Sequence, residues 1–90
     1  MDRQVAVALK YEPERDLAPK VVAKGFGFLA EMIKRMAAES GVPVKEDEAL
    51  ARALARLRVN QEIPPELYAA VAEILAFIYR MDELVGRSRS

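Results

Sequence analysis

The sequence predicts an α/β domain: a small sheet of about three strands packed with three main helices. Three observations carry that expectation. Val5, Val7, Leu9 and Tyr11 alternate with Ala6, Ala8 and Lys10, the period of two of a strand with one face on a core. Apolar residues then recur at three- and four-residue steps in three separate segments, the period of amphipathic helices. Short β-prone stretches lie between those segments, so the order reads strand, helix, strand, helix, strand, helix.

Residues 4–11 form the first strand. Glu12-Pro13-Glu14-Arg15-Asp16 is charged and interrupted by proline, which reads as an exposed loop ending near Ala18-Pro19. Val22, Phe26, Leu29, Ile33, Met36 and Ala37 make one helical stripe, predicting a helix over 20–40 that stops at Gly41, a left-handed capping residue. Gly27 weakens the start of that helix by roughly 0.5–1 kcal/mol relative to Ala. Phe28 and Met32 fall one turn apart on a different side, which is either an exposed contact surface or a wider buried face. Val42-Pro43-Val44 is a short β-prone stretch whose proline suits a sheet edge. Asp47 is placed to cap the next helix, with Glu48 favourable to the positive end of its dipole. Leu50, Leu54 and Leu57 form its buried stripe, and Arg52 and Arg56 its solvated side. Val59 to Ile63 has strand character. Pro64-Pro65 then opens a helix whose stripe is Leu67, Val71, Ile74 and Ile78, widened by Tyr68, Leu75 and Tyr79; this helix is the expected central core element. Residues 1–85 are one domain, and 86–90 a flexible tail.

With 90 residues and 10.0 kDa the chain has room for one core. It has no Cys and no His, which excludes disulfides, thiolate nucleophiles, structural zinc and any imidazole base. The 14 basic and 14 acidic side chains cancel, and the halves 1–45 and 46–90 carry +2 and −2. A nucleic-acid partner is not expected, because phosphate neutralisation calls for a concentrated basic face. Lys10, Lys20, Lys24 and Lys34 are either a modest basic patch or plain solvation. Glu46, Asp47 and Glu48 are explained by helix capping without a metal, and no cofactor is implied. The N-terminus has no signal-peptide pattern. The longest low-polarity stretch, 67–79, contains Glu73 and is too short to cross a bilayer, so no direct membrane insertion is expected.

Four blocks carry a resemblance: Val5-Ala6-Val7-Ala8-Leu9-Lys10-Tyr11-Glu12, Ala18-Pro19-Lys20-Val21-Val22-Ala23-Lys24-Gly25, Leu50-Ala51-Arg52-Ala53-Leu54, and Gln61-Glu62-Ile63-Pro64 with Glu66-Leu67-Tyr68-Ala69-Ala70-Val71-Ala72-Glu73. In that order they resemble the C-terminal cytoplasmic domain of the FlhB/YscU family, the specificity-switch proteins of flagellar and type III secretion export. The blocks cover residues 4–81, and the second and fourth are most similar to the flagellar branch. The resemblance implies a four-stranded sheet with helices around it, a cytoplasmic location at the face of the export gate, and a role in choosing which export substrates pass. Family members cut themselves by asparagine cyclisation in an Asn-Pro-Thr-His motif just before the first strand. Met1, Asp2, Arg3 and Gln4 occupy those positions and none matches, so no self-cleavage and no other enzymatic activity is expected. The chain is expected to correspond to the family's downstream fragment without the family's first strand. The edge of the strand holding Val5 and Val7 then stands open to a membrane-bound FlhB-type partner.

By position, Ala72 and Leu75 match a hydrophobic patch associated in the family with recognising rod- and hook-type substrates, and Ala18 and Pro19 match a loop of the family. Plain core packing is the alternative for Ala72 and Leu75. Phe26-Gly27-Phe28 departs from the small and polar residues usual there, and Asn60 stands where the family usually has glycine, a left-handed position that Asn tolerates. The reading is a non-enzymatic component or regulator of flagellar-type export that binds substrates, the hook-length control protein or the gate itself. The alternative is a free-standing cytoplasmic regulatory domain that kept the fold but lost the export role.

Overall fold

The computed structural model describes residues 3–76. Strands β1 (Val5–Lys10) and β2 (Lys20–Phe26) form an antiparallel hairpin. Val5 lies opposite Phe26 and Ala8 opposite Ala23; a bulge then leaves Val22 unmatched, and Leu9 faces Val21. Helices α1 (Phe28–Glu39) and α2 (Glu48–Ala55) follow. A 3-10 turn, Pro65–Leu67, leads into α3, helical over 68–76.

The two faces of the hairpin carry different helices. Gly25 lies against Leu29 of α1, whereas Val7 and Leu9 pack on the cluster that contains Leu50 and Leu54 of α2. Gly25 pairs with Ala6, and strand side chains alternate between faces, so α1 and α2 flank the hairpin on opposite sides. The main core joins Leu50 and Leu54 to Ala18 from the loop, Ile63 from the segment before α3 and Val71 of α3. Lys24 fixes the α2 layer to the sheet: its ammonium donates to the backbone carbonyls of Ala55 and Leu57, at 3.0 and 2.6 Å, groups left open by the end of that helix.

Three expectations are corrected. Residues 20–26 are strand, not the first turns of a helix. Val21 and Gly25 are buried and alternate with exposed Val22 and Phe26, and Gly27, at φ 58°, takes a left-handed turn that starts α1 only at Phe28. Val42 and Val44 are exposed coil and pair with nothing in the sheet. The segment 59–63 makes one bridge, Lys20 to Glu62, rather than a strand, so the described sheet has two strands and not three. The bridge is nonetheless well tied: the Val21 N–H donates to Gln61 O, the Asn60 N–H to Val21 O and the Ile63 N–H to Pro19 O, at 2.6–3.0 Å.

Other local devices are where the sequence puts them. The Asp47 carboxylate accepts the Leu50 N–H at 3.1 Å. Gly41, at φ 72°, closes α1, with its N–H on Ala38 O and the Val42 N–H on Ala37 O. Asn60 is left-handed at φ 74°. In α3, Val71 is buried with Ile74 and Leu75 half-buried beside it. Ile78, Tyr79 and the 86–90 tail lie outside the described residues.

Gly25 yields a stability prediction. A Cβ there would lie 2.9 Å from Leu29 Cβ, and no side-chain rotation relieves a clash between two β-carbons, so α1 must shift. Removing glycine from a strand normally gains roughly 0.5–1 kcal/mol, but overpacking typically costs 1–3 kcal/mol and wins here. Gly25→Ala is therefore expected to lower the melting temperature by roughly 5–10 °C, measured by circular dichroism. An unchanged value would mean that α1 does not rest on this strand.

Candidate functional site

The loop between β1 and β2 is built to present apolar residues. Its first turn closes on Glu12, whose carbonyl accepts the Arg15 and Asp16 N–H groups while its own N–H donates to the Asp16 carboxylate at 3.0 Å. Asp16 also pairs with Lys20 at 3.6 Å. Glu12 and Asp16 are thus both engaged at the base of the loop. The chain leaves this turn with Leu17 projecting into solvent, 91% exposed, and with Ala18 and Pro19 buried. The Ile63 N–H bond to the Pro19 carbonyl pins the loop against the segment that leads into α3.

Pro64-Pro65 sets the direction of α3, and helical spacing puts Tyr68, Val71, Ala72 and Leu75 on one side of it. That side faces the loop across a shallow concavity of about 200 Å³. One wall is Tyr11, Leu17, Ala18 and Pro19; the other is the α3 row, with Ile63 beneath. Among the described residues no charged side chain lines it. It is smaller than the roughly 300–1,000 Å³ of small-molecule sites, and its chemistry suits one or two apolar side chains of a partner rather than a charged metabolite.

Four of the seven residues singled out from sequence, Ala18, Pro19, Ala72 and Leu75, meet in this groove. Ala72 is exposed and Leu75 half-buried, whereas their neighbour Val71 is buried. Ala18 and Pro19 contribute from below the surface. Sequence reasoning missed Tyr11, Leu17 and Tyr68 as groove residues. A leucine isolated at the end of a charged loop, and a tyrosine one turn before Ala72, were the available signals.

Val5, Val7 and Phe28 lie elsewhere. Val5 pairs with Phe26, whose ring carries the Arg3 guanidinium 5.7 Å from its centroid. Val7 packs on the core, so β1 offers its backbone rather than that side chain. Among the described residues β1 bonds to β2 alone, and its other edge has no strand partner. Phe28 on α1 is 76% exposed, and Met32 is exposed with it.

The four lysines are individually engaged. Lys10 pairs with Glu12 at 2.8 Å, Lys20 with Asp16, Lys34 with Glu46 at 4.0 Å, and Lys24 holds the end of α2. They are dispersed into separate contacts rather than gathered as one patch. Among the described residues no group of three acidic side chains is placed to hold a metal ion, and no helix is long and apolar enough to cross a membrane.

Comparison with known proteins adds the following. Residues 3–78 match the model of the FlhB HrpN YscU SpaS family. The uncharacterized protein YlqH of Bacillus subtilis is 46% identical over 84 residues, a match spanning 93% of this chain and 90% of that protein. The flagellar biosynthetic protein FlhB of Escherichia coli is 49% identical over 77 residues, covering 84% of this chain but only 20% of FlhB. The crystal structure of the cytoplasmic domain of FlhB from Shewanella putrefaciens superposes with a TM-score of 0.80 at 38% identity, over 83% of this chain and 61% of that one.

Proposed function

The chain belongs to the FlhB/YscU export-switch family, and from that premise we propose that it works as the downstream, substrate-reading part of a flagellar-type export switch. In this reading the apolar groove between the β1–β2 loop and α3 receives an uncharged segment of an export substrate or of the hook-length control protein. The open edge of β1 accepts a strand from a membrane-bound FlhB-type gate protein, because its N–H and C=O groups have no partner strand among the described residues. The protein acts at the cytoplasmic face of that gate and catalyses nothing.

The observation that carries the reading is convergence. Ala18 and Pro19 lie far in sequence from Ala72 and Leu75, yet all four line one uncharged concavity. A stripe that served packing alone has no reason to leave Ala72 exposed at its centre. The neutral lining also means that binding should vary little with salt, unlike recognition through ion pairs. YlqH supports a free-standing mode, since a domain of this size makes up nearly the whole of that relative.

The test is complementation. The chain is expressed in cells whose FlhB-type protein ends just before its downstream fragment, and export, hook length and co-purification with the gate are scored. Restored export together with co-purification is the expected result. Absence of both overturns the proposal and favours a regulatory domain that kept the fold without the export role.

A further inference from the structure

The outer surface of α1 is apolar where a solvated helix would be polar. Its core side is Ala30, fully buried, with Ile33 and Ala37 half-buried. Beside that side Phe28 is 76% exposed, Met36 61%, Leu29 51% and Met32 39%. At 3.6 residues per turn these four occupy one arc of about 100°, an apolar stripe that runs from Phe28 to Met36 and ends where Glu39 enters the arc in the last turn. Glu31 and Arg35 sit one turn apart on the flank of this arc that lies away from the core. Neither makes an ion pair among the described residues, although their spacing permits one within the helix.

We infer that this stripe is a self-association surface, on which α1 of a second copy packs antiparallel. The charge pattern selects both the partner and the direction. When two identical helices face each other antiparallel, the same flank of each meets, with the residue order reversed. A two-fold axis near Met32 and Ile33 then sets Glu31 of one copy beside Arg35 of the other, and the reverse pair forms at the same time. The same register lays Phe28 against Met36 of the second copy and the two Met32 side chains together. A parallel arrangement would turn the charged flank toward the core-facing side and leave both charges unmatched. The stripe is separate from the groove and from the edge of β1, so the inference stands apart from the proposed function.

A 12-residue helix is about 18 Å long, so the interface is well below the roughly 800 Å² per partner of a standard complex and the dimer is weak and concentration-dependent. The test is sedimentation equilibrium of the full chain from about 10 μM to about 1 mM, the range in which so small an interface titrates. The mass is expected to rise from 10.0 kDa toward twice that value. Glu31→Arg and Arg35→Glu each place like charges opposite one another twice and should weaken the dimer about ten-fold or more; the double reversal restores the pairs and should return it to within about three-fold. Phe28→Lys or Met36→Lys should abolish association with the melting temperature unchanged, since both positions are exposed. A monomer at every concentration overturns the inference. So does a dimer that ignores the stripe substitutions, and one that responds to Phe28→Lys but not to the charge reversals refutes the antiparallel register.

Discussion

Leu54→Ala is expected to cost about 3 kcal/mol and to lower the melting temperature by roughly 12–24 °C, the largest single effect among the substitutions considered. Leu54 is 4% exposed and belongs to the cluster of Ala18, Leu50, Ile63 and Val71, drawn from four separate stretches of chain. Truncation removes transfer free energy and leaves a cavity that none of these neighbours can fill alone. Ala18 has only a methyl group and nothing to extend, Ile63 is tied through its N–H to Pro19, and Val71 is fixed in α3. Because Ala18, Ile63 and Val71 also line the groove, the cavity loosens the groove as the fold weakens. Leu57→Ala is the control: its residue is half-buried at the rim of the same cluster, so it should cost less than half as much. Chemical denaturation of both variants measures the difference. Equal small losses would place the centre of the core elsewhere.

How far this structure is legible in sequence depends on which residues carry unambiguous signals. β1 is read correctly because four large apolar residues alternate strictly with small or charged ones. β2 is misread because Val22 and Phe26 happen to be four apart and in phase with the true α1 stripe; a bulge at Val22 and the left-handed Gly27 break that coincidence, and neither is visible in a hydropathy pattern. The segment 59–63 is a half-success: its strand character is real, yet the left-handed Asn60 within it and Pro64 after it leave room for a single bridge. The groove is legible only in pieces. Periodicity alone makes Ala72 and Leu75 core, and only the family resemblance joins them to Ala18 and Pro19. What closes the groove is the hydrogen bond from Ile63 to Pro19, a long-range backbone contact that no side-chain pattern encodes. The α1 stripe stays ambiguous for a different reason: Met and Phe serve equally in a core and on a contact surface.

Ala72→Asp separates the groove from the fold. Ala72 is exposed on α3, so the substitution should cost no more than the difference in helix propensity, roughly 0.7 kcal/mol or a few degrees of melting temperature. Its effect on recognition should be far larger. An apolar side chain seated in the groove would cover the new carboxylate, and among the described lining residues there is no basic group to pair with it. Burying an unpaired polar group costs several kcal/mol, so affinity for a purified rod-type export substrate is expected to fall about 100-fold. Ala69→Asp supplies the comparison: it adds the same charge to the same helix at an exposed position outside the groove lining, and affinity should be unchanged within about three-fold. Loss of binding in the first variant alone locates recognition in the groove. Equal losses in both would trace the effect to the net charge of α3, and full retention in both would remove the groove from substrate recognition while leaving the edge of β1 as the surviving contact.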